Sequence, residues 1–202
     1  MRVSNKKVCG IGVNEWIYPS YDGVKRFKQY HSWCCMLERC SSKYWGKFPT
    51  YTGVTCSENF KSYSYYYEWC NRQVGFGNVG EDGKSWCLDK DILIKGNKVY
   101  SEDMCVFVPH RINLLLVKCN KRRGEWPIGI HWDKVTSKYK ATCNNGSGTA
   151  KTIGRYSSVQ EAFQAYKSYK EGLIKQVAEK YKHQLDPRAY QALLNYTVEI
   201  TD

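Results

Sequence analysis

The strongest helical stripe in the 202-residue chain starts at Ser158 and constrains everything around it. Ser158 and Glu161 stand at capping-box spacing, which places a helix start there. Val159, Ala162, Phe163, Tyr166, Tyr169, Leu173, Ile174, Val177 and Tyr181 then recur at intervals of three and four and make one apolar face. Three strand-like runs precede it, at 128–133, 138–143 and 151–156. The gap at 134–137 is short, and the NNGSGTA gap contains Asn-Gly, a strong hairpin signal. In the middle run Tyr139, Ala141 and Cys143 alternate with Lys138, Lys140 and Thr142, so the two groups face opposite sides of a strand. The pattern predicts a three-stranded antiparallel sheet with one long helix packed on its Tyr139/Ile153 face. The other face is then left open and basic.

Charge follows the same division. Residues 121–182 carry 13 Lys and Arg against 5 Asp and Glu, eight of the twelve net positive charges. Such an excess attracts phosphate polymers or anionic membranes. No basic amphipathic membrane segment favours the latter, and no apolar run approaches the roughly 20 residues of a membrane span. The N-terminal MRVSNKKVCGIG lacks the apolar core of a signal peptide, so a cytoplasmic protein is expected. Ten cysteines at irregular spacing, without a C-x-x-C pair, predict reduced thiols rather than a disulfide scaffold or a zinc site.

Upstream of the sheet, residues 1–30 read as an irregular arm, and GIGV at 10–13 lacks the strand–helix context of a phosphate loop. A short helix is expected over 31–40, loop and turn over 42–56, and a Tyr-rich helix over 57–71 with Phe60, Tyr63, Tyr67 and Cys70 on one side. That helix is also the place where a host or phage protein would dock. After a Gly-rich loop at 74–85, residues 86–120 read as strand (Trp86–Leu93), loop, strand (Met104–Val108) and a Pro109-led helix. Lys121, Arg122 and Arg123 form a basic linker and a domain boundary. The expected class is α+β: an N-terminal helical region with a ββα core to residue 120, the sheet–helix domain at 121–183, and a tail with a short helix at 184–202.

G-E-W-P-I-G-I (124–130), K-Y-K-A (138–141), I-G-R-Y (153–156) and E-A-F-Q-A-Y (161–166) together resemble the plant APETALA2/ethylene-response-factor type of DNA-binding domain. That resemblance implies that the open sheet face lies in the major groove of double-stranded DNA. It implies contacts from His131, Asp133, Thr142, Asn144 and Thr152, with Lys138 and Lys140 on the same face by alternation. Lys134 in the first turn and Arg122 and Arg123 in the linker add phosphate contacts.

The 86–120 stretch resembles the ββα-metal core of HNH nucleases, through Asp89-Lys90 on the first strand and C-V-F-V-P-H-R-I-N (105–113) across the second strand and helix. G-I-G-V-N (10–14), W-C-C-M-L-E-R-C (33–40), P-T-Y (49–51) and L-D-K-D-I-L-I-K-G-N-K-V-Y-S (88–101) extend the likeness to a phage-encoded family of HNH-type homing endonucleases. It implies a homing or nicking DNA endonuclease that hydrolyses phosphodiester bonds with Mg²⁺ or Mn²⁺. Asp89, Asp91 and Asn113 would be the metal ligands, and Asp89, Lys90 and His110 the catalytic groups. Lys90 stands where the family carries His, and a lysine normally keeps its proton, leaving His110 as the nearest replacement base. The alternative is a catalytically degenerate, DNA-binding or regulatory protein on the same scaffold. Asn97 follows Gly96 and reads as a turn residue rather than a ligand.

Overall fold

The structure is a computed structural model that describes residues 7–117, 124–146 and 148–202. The expected linker residues Arg122 and Arg123 lie outside the described residues. The chain divides into two compact units, Met1–Val108 and Pro109–Asp202. The division falls before the expected boundary at 120/121, because the helix after Pro109 packs on the long helix of the second unit.

In the first unit, helix α1 (Lys28–Arg39) packs against helix α3 (Tyr63–Asn71). Trp33, Met36 and Leu37 from α1 meet Phe60, Tyr63 and Tyr66, all of them fully buried. Burying each large side chain stabilises the fold by roughly 2 kcal/mol before the entropy of ordering it is counted. The polar tips stay satisfied. The Trp33 indole N–H donates to the Phe60 carbonyl at 2.8 Å, and the Tyr66 hydroxyl pairs with Ser32 Oγ at 2.7 Å. Ser62 caps α3 by accepting from the Tyr65 N–H at 3.1 Å, so this helix begins later than expected, and its buried face runs through Tyr66 and Trp69 rather than Tyr67. Most of the Tyr-rich surface thus belongs to the core.

The 42–56 stretch is more ordered than its expected loop. It holds a short helix α2 (Ser42–Lys47) and a strand β1 (Thr55–Cys56). β1 pairs in parallel with β3 (Val99–Tyr100). Strand β2 (Cys87–Asp89) pairs antiparallel with β4 (Val106–Val108), with Asp89 opposite Val106. The N-terminal arm is also tied down, since Val13 and Ser62 form a β-bridge. In its GIGV segment a Cβ at Gly12 would fall 2.3 Å from Leu37 and 2.5 Å from Trp33. That glycine therefore serves close packing on α1.

The second unit opens with helix α4 (His110–Leu116) and continues into β5 (Ile130–Asp133), β6 (Lys138–Asn144) and β7 (Ala150–Tyr156), an antiparallel sheet in sequence order. Helix α5 (Val159–Lys180) covers one face through Ala162, Phe163 and Tyr166 against Ile130, Ala141 and Cys143. Ser158 caps it by accepting from the Glu161 N–H, while Glu161 reaches back to the Ser157 N–H, both at 3.2 Å. Helix α6 (Pro187–Leu194), capped by Asp186, packs on α5, and Val198 joins the sheet–helix core. The expected tail is therefore part of this unit. No helix among the described residues is long and apolar enough to cross a membrane.

Gly129 holds the entry to β5 at φ +78°, and a Cβ there would sit 2.2 Å from the Tyr166 ring and 2.8 Å from the Thr142 carbonyl. Gly129→Ala is expected to destabilise the second unit by about 2–4 kcal/mol, through backbone strain and the clash together. Urea unfolding followed by circular dichroism measures it, with Gly172→Ala on the exposed side of α5 as the comparison expected to shift the other way, by about 0.5–1 kcal/mol.

Candidate functional site

Two places gather the residues singled out in the sequence, one in each unit. The first is the loop that leaves β2. Asp89 ends the strand, is 8% exposed, and accepts from the N–H groups of Asp91 and Ile92, each at 2.9 Å. This carboxylate folds the chain back on itself, so Asp91 lies in a bend past the strand and does not share a strand face with Asp89. Lys90 is just as buried. Its Nζ donates to Asp91 Oδ2 at 3.2 Å and to the Asn97 carbonyl at 2.8 Å, and lies 5.8 Å from the Tyr100 ring centroid. Asn97 closes the loop from the other side, donating to the carbonyls of Lys90 and Val99 and accepting from the Val99 N–H. Asn97 is thus the turn residue expected, after Gly96 at φ +83°.

Burial first, and then the charge of Asp91, pushes the Asp89 carboxyl up to about 7. A hydrogen bond to the Asp91 side chain also favours its protonated form, and the two backbone donors pull the other way. The chemistry here is inward-looking. An ammonium already sits on the Asp91 carboxylate, and one Asp89 oxygen is engaged twice by backbone. His110 and Asn113 are carried by α4, in the second unit, where α4 packs on α5. The two strands and the helix of the expected ββα core are therefore divided between the units. Among the described residues no group of three or more His, Cys, Asp or Glu is placed to hold a metal ion.

The second place is the sheet face away from α5. Cross-strand pairing sets His131 opposite Lys140, Asp133 opposite Lys138, Lys140 opposite Arg155, and Thr142 opposite Thr152. His131, Lys138, Asn144 and Thr152 are exposed, Asp133, Lys140 and Thr142 are half-buried, and Lys134 stands exposed in the β5–β6 turn. Four of the expected contact residues, His131, Asp133, Thr142 and Asn144, are already bonded. His131 Nε2 meets Thr142 Oγ1 at 2.5 Å, and Asn144 Oδ1 accepts from the Gly146 N–H at 2.7 Å. Partial burial and then the Lys140 charge hold the His131 pKa below its ordinary value, which favours the neutral ring at pH 7.

Sequence alternation missed one residue of this face. Arg155 shows there because β6 and β7 change register between Ala141 and Thr142, leaving Ile153 as an extra residue in β7. A β-bulge of this kind reverses the alternation beyond it. The signal was present in the sequence. Ile153 and Tyr156, three apart, both pack on the core, which strict period-two alternation forbids, and Gly154 marks the irregularity. Arg155 Nε donates to Asp133 Oδ2 at 2.7 Å, and this bond, ahead of other influences, lowers the Asp133 pKa. Lys151, by contrast, turns to the helix side, 5.1 Å from the Tyr169 ring centroid.

Comparison with protein families, with curated proteins and with solved structures gives no match for this chain.

A raised carboxyl pKa has a definite sign in stability. The folded form binds the Asp89 proton more tightly than the unfolded chain, so the contribution of Asp89 to stability is fully present below about pH 4 and is lost as pH rises through about 7. The decline is expected to be on the order of a few kcal/mol at most. Asp89→Asn keeps an acceptor for the Asp91 and Ile92 N–H groups while removing the titration, so it should flatten the pH dependence with little change in fold. Chemical denaturation of both proteins between pH 5 and 8 tests this, and parallel curves would rule out Asp89 as the source.

Proposed function

We propose that this protein binds double-stranded DNA through the open face of β5–β7. The observation that carries the reading is the composition of that face. Lys138, Lys140 and Arg155 are set among His131, Thr142, Asn144 and Thr152 on a sheet backed by one helix. Lysines on a rigid sheet supply the phosphate neutralisation that dominates duplex affinity. The major groove admits strands as well as helices, and hydroxyl, amide and imidazole groups can read base edges there. Asp133 fixes the direction of Arg155, which suits a side chain that must present donors in a fixed plane.

On this reading the loop that leaves β2, with Asp89, Lys90 and Asn97, is structural and does not cleave DNA. Mg²⁺ or Mn²⁺ would need oxygen ligands at Asp89 and Asp91, and Lys90 supplies a competing positive charge between Asp91 and Asn97. Lys90 itself is buried and held at both ends of its reach, which suits a structural cation better than a base.

Fluorescence anisotropy on a labelled duplex across a salt series tests the proposal. Lys138→Ala with Lys140→Ala should lower the slope of log K against log salt by roughly 2, about one per lost phosphate contact. Arg155→Ala should weaken binding more at some sequences than at others. An unchanged slope in the double lysine variant defeats the reading. Parallel incubations of plasmid DNA with Mg²⁺, Mn²⁺ and EDTA separate it from metal-dependent cleavage. Nicked or linear product that is lost with EDTA and in Asp89→Ala would replace it with the nuclease reading.

A further inference from the structure

The structure assigns a second reactive site to the first unit, independent of the sheet face: Cys40 and Cys56 form a dithiol that a hydroperoxide converts to a disulfide. Cys40 is the C-terminal cap of α1, and Cys56 lies in β1, where it pairs with Tyr100. The chain brings them together because α1 ends beside the β1–β3 pair, an arrangement also marked by Arg39 Nη1 donating to the Tyr100 hydroxyl at 3.4 Å. The two thiols are in hydrogen-bond contact, and both are free.

Their environments differ in the way a peroxide-reactive pair requires. Cys56 is only half-buried, whereas Cys40 is 7% exposed. The Cys40 thiol donates to the Cys56 sulfur, which is the main cause holding the Cys56 pKa below its ordinary value; the Lys61 charge adds to it, against burial and Glu58. The same contact, followed by burial, pushes the Cys40 thiol well up. Cys56 is therefore both the more accessible sulfur and the one whose thiolate the contact favours, and thiolate is the nucleophile. Cys56 thiolate attacks one peroxide oxygen, the O–O bond breaks, and the hydroperoxide leaves as water or alcohol after taking a proton, giving Cys56 sulfenic acid. Cys40 sulfur then attacks the sulfenic sulfur, its proton leaves with the hydroxyl as water, and the S–S bond forms. Two thiols are oxidised and one peroxide is reduced.

Exposed Cys9 provides an internal reference, because its access is greater but its pKa is raised, by burial first and Glu38 second. The full-length protein is treated with hydrogen peroxide, quenched with catalase, alkylated and digested. The expected result is a Cys40–Cys56 cross-linked peptide that forms before Cys9 is consumed, and that returns to two alkylated peptides after dithiothreitol. In Cys40→Ser the cross-link is lost while Cys56 still reacts, now trapped by a dimedone-type sulfenic acid reagent. In Cys56→Ser both the cross-link and that labelling disappear. Circular dichroism of each variant checks that it is folded. Oxidation of Cys9 while Cys40 and Cys56 stay alkylatable overturns the assignment. So does a bond from Cys40 to its other neighbour, the fully buried Cys105.

Discussion

A sheet has two faces, and the second unit has one long helix to cover them. Everything distinctive about that unit follows from the shortage. Small residues let the covered side close tightly: Ala141 and Ala162 are fully buried, and Gly129 lies directly under the Tyr166 ring. The α5 side holds the aromatic and aliphatic groups, with α6 and Val198 completing it from the C-terminal end. The uncovered side must then be wettable, and the chain fills it with lysine, arginine, threonine and asparagine. A solvated face needs no particular pattern of polar groups. The pairing of His131 with Thr142 and of Asp133 with Arg155 gives this one a fixed pattern across neighbouring strands.

The first unit solves the opposite problem. Its 87–100 segment has little regular structure, and polar side chains do the work of a ladder. Asp89, Lys90 and Asn97 each bond to backbone between Asp89 and Val99. Buried charges are costly unless each is paired and hydrogen-bonded: Lys90 meets that condition through Asp91 and the Asn97 carbonyl, whereas Asp89 has only its two backbone donors and its pKa rises instead. The same residue types at the same spacing would suit a metal site. What separates the two uses is direction, because these groups point into the loop that they hold.

Much of the second unit was legible in the sequence. The strand runs, the Asn-Gly hairpin, the capping box and the alternation at 138–143 all correspond to observed elements, because each rests on local periodicity. The errors have a common physical origin in long-range packing. The β1–β3 pair joins two-residue strands more than forty positions apart, which no local pattern can show. The break between units at Val108/Pro109 depends on which helix α4 packs against, not on the composition of the basic linker. At the candidate site, the open face was legible up to the bulge and lost beyond it. Around Asp89 the residue types were visible, and the hydrogen bonds that engage them were not.

The bulge at Ile153 has a consequence for how this surface can vary. It cuts β7 into two segments whose side chains keep separate phases. Thr152 belongs to the segment before it and Arg155 to the segment after it, yet both reach the same face. Substitutions at one end of the strand therefore leave the geometry of the other untouched. Hydrogen-bonding groups near the hairpin and the cation beyond the bulge belong to separate halves of one polar face on a single short strand.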